Sequence, residues 1–401
     1  MIMTEAPFDP VSAGAPPARG FAEWEFESRL ERAQSLMAAQ NIGAMLLTDP
    51  ENIRYFSGFH TQFFQSPTRP WFLVVPLSGK PIAVIPAIGA ESMARTWLDD
   101  IRTWSSPHPT DDGIGLLADA LASCVTGGGA ISAPIGAETA LRMPLADFDR
   151  LRGTLGRFAF TDATEIVKTL RMRKSPAEIE KIAEACRSAG EAFAAVPDWL
   201  AAGMSDTEIF RTFKIDCLRH GADDVAYLVG GAAPEGYNDI IAPPSGRAVQ
   251  AGDILILDTG CIYDGYFCDF DRNYAIHSAS DRAKSAYETL HRAVDAGLTA
   301  ARPGATCAQL FHAMQDVMTR AGALATDVGR LGHGLGMHLT EWPSHTAFDN
   351  TVLLPGMVLT LEPGMTYAPG RMMVHEENLV VGEDGCTLLT RRAPPELPVI
   401  G

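Results

Sequence analysis

Residues 253–260, Asp253-Ile254-Leu255-Ile256-Leu257-Asp258-Thr259-Gly260, set four aliphatic side chains in a row and end them on a carboxylate. An apolar run of this length, bounded by turn formers, reads as a buried strand. The pattern recurs at Val358-Leu359-Thr360-Leu361-Glu362-Pro363-Gly364, so Asp258 and Glu362 both leave their strands close to a core. Three more polar groups follow or interrupt apolar runs in the same half of the chain: Asp269, His333 within Gly332-His333-Gly334-Leu335-Gly336, and Glu377 ahead of Leu379-Val380-Val381. Taken singly, each is more simply a turn residue or a helix cap. Together they pose an electrostatic problem, because a buried carboxylate without a partner is costly. Two divalent cations balance the negative charges of Asp258, Asp269, Glu362 and Glu377, whereas an empty site forces several of them to take up protons.

The donor set, oxygen with a single imidazole nitrogen, suits Mn²⁺, Co²⁺, Fe²⁺ or Zn²⁺ rather than thiolate-seeking ions, with Mn²⁺ the leading expectation. A metal pair lowers the pKa of water held between the ions, which supplies a nucleophile near neutral pH, and it polarises a carbonyl. The chemistry expected is hydrolysis.

Around this constellation, 401 residues suit two domains. Residues 1–20, polar and rich in Pro, Ala and Gly, read as a flexible tail. A helix is expected over 26–40, strands over 44–48, 71–75 and 82–85, a helix over 113–122 and a loop over 127–129, which makes residues 21–163 an α/β unit. Asp49-Pro50 reads as a turn. Ser175-Pro176-Ala177-Glu178 is a capping box with proline at the first helical position, opening a long helix to about residue 200. Ser205-Asp206-Thr207-Glu208 opens a second helix toward His220. Strands expected over 253–257, 357–361 and 379–381 then mix with helices over 283–301 and 307–321 without regular alternation, so residues 164–401 read as an α+β catalytic domain.

The formal charge of −17, from 32 basic and 49 acidic residues, disfavours nucleic acid and anionic lipid as partners. Neither a run of eighteen apolar residues nor a signal-peptide core is seen, so the expected location is the cytoplasm, away from membranes. The seven cysteines are odd in number, scattered and never in a C-x-x-C pair, and read mostly as small core residues.

In order along the chain, Asp258-Thr259-Gly260, Asp269 eleven residues after Asp258, Gly332 to Gly336, Leu361-Glu362-Pro363-Gly364 and Glu377-Asn378 resemble the five ligand blocks of the pita-bread metallohydrolases. That family comprises creatinase, prolidase, aminopeptidase P and methionine aminopeptidase. Arg54-Tyr55-Phe56-Ser57-Gly58-Phe59 resembles the N-terminal domain of its longer members, and Leu170-Arg171-Met172-Arg173-Lys174-Ser175 their interdomain segment, which favours the prolidase, aminopeptidase P and creatinase branch. The resemblance covers nearly the whole chain after the tail. It implies a pita-bread catalytic domain of α+β class behind a smaller creatinase-type α/β domain, and a hydrolase of the Xaa-Pro dipeptidase type acting on an amide or related C–N bond. It also implies that Asp258 binds one metal, that Asp269 and Glu377 bridge, and that His333 with Glu362 hold the other. Glu376 adjoins Glu377, but side chains alternate along a strand, so only one faces the metals, and the following Asn378 favours Glu377. Arg272, three after Asp269, matches the family arginine that orients the bridging carboxylates.

The resemblance further implies a homodimer in which the N-terminal domain of one subunit reaches the other's active site. Residues 63–71, plainly read as a loop packed on the first domain's core, then bring Trp71 to the pocket, where Tyr237 and Trp342 complete an aromatic wall suited to a quaternary or cyclic amine.

Three departures bear on substrate. The family's peptidases carry a second histidine seven residues after the ligand histidine, and here that position is Thr340, with His338 only five after His333. A further family histidine, about seventeen residues before the first ligand aspartate, falls at Ile240 or Ile241, leaving Asp239 as the nearest polar candidate for substrate contact. Asp271 stands where the family often has threonine, adding a carboxylate beside the metals. His338 and Thr340 are accordingly candidate catalytic groups, while His338 and His375 also read as structural histidines. Non-peptide substrates such as those of creatinase, ectoine hydrolase or dimethylsulfoniopropionate lyase stay open. So does a metal-free binding module, against which the intact ligand set argues.

Overall fold

The computed structural model describes residues 15–125, 128–326 and 329–401, so most of the expected tail and part of the 127–129 loop lie outside the described residues. The chain divides between Arg171 and Met172 into an N-terminal unit, Ala18–Arg171, and a larger unit formed by the rest.

The N-terminal unit is built on a six-stranded sheet ordered Asp100–Trp104, Ile82–Pro86, Phe72–Pro76, Ile42–Leu47, Ala130–Ala133, Phe160–Asp162. Ile42–Leu47 and Phe72–Pro76 are buried at every position, as continuous apolar runs require. Asp49-Pro50, expected as a turn, opens the helix Pro50–Ser57: the Asp49 carboxylate accepts from the Asn52 N–H at 3.2 Å, and Gly58 at φ +74° ends the helix. Thr164–Met172 is also a helix, and its Ile166, Val167 and Leu170 are buried. All but its last residue belongs to the N-terminal unit, eight residues beyond the expected division at 163.

In the larger unit, the Ser175 capping box forms with both of its hydrogen bonds and starts the helix Pro176–Trp199, and the Ser205 hydroxyl caps Asp206–Arg219. These helices pack on the strands Asp253–Tyr263 and Asp224–Pro234 of a five-stranded sheet that also contains Phe270–Ile276. A second five-stranded sheet carries His333–Gly334, Val358–Leu361 and Glu377–Val381, with the helix Asp281–Ala300 packed on it. Ile254, Ile256, Leu359, Leu361, Leu379 and Val381 meet in one apolar core. The described cysteines are all free thiols and five are buried, in keeping with core roles. No helix among the described residues is long and apolar enough to cross a membrane.

Candidate metal centre

Register brings the acids together. Asp258 continues the face of Ile254 and Ile256 and pairs directly with Asp271 on the neighbouring antiparallel strand, so the two carboxylates share one side of the sheet, with Asp269 in phase two residues before. In the second sheet Leu361 lies opposite Glu377 and Leu359 opposite Leu379, all on the side of the apolar core. Glu362 and Glu376, one step along each strand, turn to the other side. There Asp258, Asp269, His333, Glu362 and Glu376 line a cavity of about 240 Å³, together with Tyr227, Ile240, Ile241, Arg330, Leu339, Thr340 and Val374. Ligand atoms of Asp269, His333 and Glu376, all buried, lie within 4.8 Å of one another.

Neighbouring groups hold the donors in place. His333 Nδ1 lies 2.8 Å from the Gly334 carbonyl, which fixes the proton there and leaves Nε2, 3.4 Å from an Asp269 oxygen, as a lone pair facing the acids. The Thr360 hydroxyl accepts from the His333 N–H at 3.1 Å. Asn378 clamps the Asp269 backbone from both sides: its carbonyl accepts from the Asp269 N–H at 2.9 Å and its amide donates to the Asp269 carbonyl.

The electrostatics call for cations. Burial, with Asp269 and Glu362 close by, drives Asp258 well above the usual carboxylate range. Burial drives Asp269, Asp271 and Glu376 the same way and pushes Glu362 up to about 7. His333 is pushed down to about 4 by burial, so its imidazole is neutral. Asp258 Oδ1 and Glu376 Oε1 are buried without a hydrogen-bond partner among the described residues. Carboxylates with free lone pairs beside a neutral imidazole are the donor chemistry of a borderline or hard divalent ion. The residues fit the group.

The structure corrects one expected ligand. Glu377 faces the core side, and its carboxylate is saturated by Arg272 Nη2 at 3.0 Å, Arg392 Nη1 at 3.2 Å, the Ala393 N–H at 3.0 Å and the Thr390 hydroxyl. Against the upward push of burial, Arg272, the Thr390 hydroxyl and the Ala393 N–H hold it down to about 2. No lone pair of Glu377 is left over, and it is Glu376 that lines the cavity beside Asp269 and His333. Arg272 serves both neighbours, because its Nη1 also donates to the Glu376 carbonyl at 3.1 Å. Asp271 Oδ1 accepts from the Glu376 N–H at 3.3 Å, so the extra carboxylate steadies the same backbone. His375 is buried and neutral, pushed down to about 3 by burial, and receives Arg392 Nη1 at 2.9 Å on Nε2.

Other expected residues separate. Thr340 lines the cavity, and its hydroxyl accepts from Arg330 Nη2 at 3.2 Å. The turn that carries it is held by buried Glu341, which accepts from the Met337 and His338 N–H groups at 2.9 and 3.1 Å and pairs with Lys174 at 3.1 Å. His338 and Trp342 are half-buried and are not among the cavity-lining residues. Tyr237 is corrected to a core residue: it is buried, its hydroxyl donates to Asn273 at 2.8 Å and it accepts from the Val374 N–H at 3.0 Å. Asp239 is corrected to an exposed turn residue whose carboxylate accepts from the Ile241 N–H at 3.0 Å, which places Ile240 and Ile241, not Asp239, against the cavity. In the N-terminal unit Trp71 packs against Phe59, tilted at 5.2 Å between ring centres, and against Phe64, edge to face at 5.6 Å.

Metallopeptidase family M24 matches residues 180–383, and the creatinase/prolidase N-terminal domain matches residues 29–173. The probable dipeptidase PepE of Mycobacterium tuberculosis is 29% identical over 388 residues, covering 96% of this chain and 99% of its own. The Xaa-Pro dipeptidase of Lactobacillus helveticus is 27% identical over 366 residues, covering 90% and 96%. The solved structure of dipeptidase PepE from Mycobacterium ulcerans superposes with a TM-score of 0.82 at 29% identity, covering 95% of this chain and 99% of that one. Because the two matches follow the same two units into which the chain folds, the protein belongs to metallopeptidase family M24, with a creatinase/prolidase N-terminal domain, and is a hydrolase.

Proposed function

We propose that the protein hydrolyses an amide bond in a small substrate of the Xaa-Pro dipeptide type, using two divalent cations, Mn²⁺ first among them, held by Asp258, Asp269, His333, Glu362 and Glu376. One observation carries this reading: the ligand atoms of the buried residues Asp269, His333 and Glu376 cluster within 4.8 Å in a cavity that Asp258 and Glu362 also line. Four carboxylates and a neutral imidazole match the charge of two dications. When bound, such ions supply an activated water and polarise the scissile carbonyl.

The chain's own groups supply position and dryness. Arg272 and Asp271 fix the Glu376 backbone, Asn378 fixes that of Asp269, and the Gly334 carbonyl sets the His333 tautomer. Ile240, Ile241, Leu339 and Val374 offer apolar walls for a small side chain or ring. The names of the dipeptidase relatives support a dipeptide. A cytoplasmic homodimer, with the Trp71 loop reaching the partner's site, is part of the proposal and rests on the family resemblance.

A second reading, a non-peptide substrate, is favoured by Thr340 and Ile241 lining the cavity at the two family histidine positions. The test is kcat/KM of Mn²⁺-loaded protein on Ala-Pro and Leu-Pro beside creatine, ectoine and dimethylsulfoniopropionate, with Thr340→His in parallel. Metal-dependent but slow dipeptide cleavage, improved by Thr340→His, supports the first reading, since one missing transition-state donor costs on the order of 10²- to 10³-fold. Turnover confined to the non-peptide compounds selects the second. No turnover of any of them by a metal-loaded protein counts against both.

A further inference from the structure

Alternation along the strand Phe270–Ile276 sends Phe270, Arg272 and Tyr274 to the face away from Asp269 and Asp271. On that side the larger unit holds another cavity, of about 280 Å³, between the strand, the helix Pro176–Trp199 and the C-terminal segment 391–398. Its floor, from Phe193, Phe270, Tyr274 and Tyr287, is aromatic and buried, and its mouth, at Ala194, Pro197 and Pro394, is exposed. Gly190 lines it from the interior of the helix, where glycine is the least favoured residue after proline, and a Cβ built there would meet no neighbour within 4 Å. The helix leaves that space open.

The polar groups of the wall are already engaged. Tyr274 and Tyr287 donate to the carbonyls of Phe193 and Pro394 at 3.1 and 2.9 Å, and the Asn273 amide donates to that of Val374 at 2.7 Å. Arg272 Nη1 donates to the carbonyls of Asp271 and Glu376, and Nη2 to Glu377 Oε2 and the Arg391 carbonyl. With both Nη atoms held in plane and Glu377 answering the charge, the guanidinium has no fork left for a carboxylate. What it offers is positive potential beside rings: it lies 4.8 Å from the centre of Phe270 and 5.8 Å from that of Phe193. A neutral guest with a π face fits such walls, because it leaves no polar group unpaired. An apolar cavity of about 150 Å³ is enough for benzene, so this one accommodates roughly one or two fused rings.

We propose that this cavity is a second ligand site, taking a small neutral aromatic molecule, and that Arg272 links it to the metal centre. Arg272 is a wall of the cavity and at the same time holds the Glu376 carbonyl at 3.1 Å and Glu377 at 3.0 Å. A guest packed on the guanidinium restrains it, and with it the Glu376 backbone, so guest and metal strengthen each other's binding by the same factor. Only the link rests on the metal-hydrolase reading; the site itself needs no metal.

The site is tested on metal-free protein by saturation-transfer NMR titration of benzyl alcohol, cyclohexylmethanol and benzoate. Benzyl alcohol should bind roughly 3- to 30-fold more tightly than cyclohexylmethanol, the range of a cation–π contact, and more tightly than benzoate. Gly190→Leu fills the open space and should abolish benzyl alcohol binding; if that variant melts below the wild type, Ala194→Leu at the exposed mouth makes the same test. Equal affinity for benzyl alcohol and cyclohexylmethanol, tighter binding of benzoate, or undiminished binding in a folded, filled variant overturns the site. The link is read by calorimetric titration of Mn²⁺ with and without saturating benzyl alcohol, which should raise Mn²⁺ affinity roughly 5-fold or more. Mn²⁺ affinity unchanged by benzyl alcohol overturns the link, whereas a protein that binds benzyl alcohol and takes up no Mn²⁺ overturns the metal reading and not the site.

Discussion

Glu376→Gln and Glu377→Gln, made separately, should fail in opposite ways although the residues are adjacent. Glu377 has its carboxyl held down from 4.5 to about 2: burial pushes it up, and Arg272, the Thr390 hydroxyl and the Ala393 N–H pull it further down. A depressed carboxyl stabilises the fold above its unfolded pKa and loses that contribution as pH falls through its folded value. The shift corresponds to about 3 kcal/mol at neutral pH, all of it forfeited when a neutral amide must face two guanidinium groups. For a unit of this size that lowers the melting temperature by roughly 10 °C. Glu376 is the reverse case, its carboxyl driven up by burial and by Asp269, Glu362 and Asp258. A neutral isostere there relieves repulsion, so the metal-free protein should melt at or above the wild-type temperature while losing metal. Calorimetric melts of metal-free protein, paired with elemental analysis after Mn²⁺ loading and desalting, read both effects. Glu377→Gln should keep its metal and Glu376→Gln its stability. The opposite pattern, with Glu377→Gln stable but metal-free, would refute the assignment.

Stability of the metal-free protein should fall as pH rises from about 4.5 through about 7, because Glu362 is raised to about 7 and the folded state gives up its extra proton across that window. Thermal shift should therefore show Mn²⁺ stabilisation growing between about pH 5 and pH 8, and a flat profile would contradict it. Lys174→Met breaks a buried pair with Glu341, which should cost about 3–5 kcal/mol in chemical denaturation; a cost below ~1 kcal/mol would mean that the Met337–Glu341 turn does not depend on the pair. Mixing an Asp258→Ala subunit with a Trp71→Ala subunit should restore part of the activity if the partner's loop completes the site, and a verified heterodimer without complementation would exclude sharing.

Four of the five proposed ligands were legible because each ends or interrupts an apolar run, where burying an acid or an imidazole needs a reason. The fifth, a glutamate, was not. Alternation alone placed one of Glu376 and Glu377 toward the metals, and the phase of Leu379 and Val381, both in the core, already put Glu377 on the core side. That signal was outweighed by Asn378, whose role proves to be holding the Asp269 backbone. The partners that make a core-facing Glu377 tolerable, Thr390 and Arg392, lie thirteen and fifteen residues downstream, beyond any local pattern. Tyr237 and Asp239 were misplaced for a related reason: an aromatic and an acid near a predicted site look like contacts until the tyrosine hydroxyl is seen to join Asn273 and Val374, and the acid to cap Ile241. Arg330 gave no periodic signal, and its proximity to Thr340 exists only in three dimensions. In the N-terminal unit, Asp49-Pro50 reads as a turn because the same residues start turns and helices, and only the bond to Asn52 distinguishes them.

The central claim, a pair of divalent cations on Asp258, Asp269, His333, Glu362 and Glu376, is tested most directly by titrating metal-free wild type with Mn²⁺ near pH 8 and determining ions bound per chain. Two per chain, with protons released to the buffer, are predicted; saturation at one ion, or a chain that stays metal-free at millimolar Mn²⁺, would contradict it.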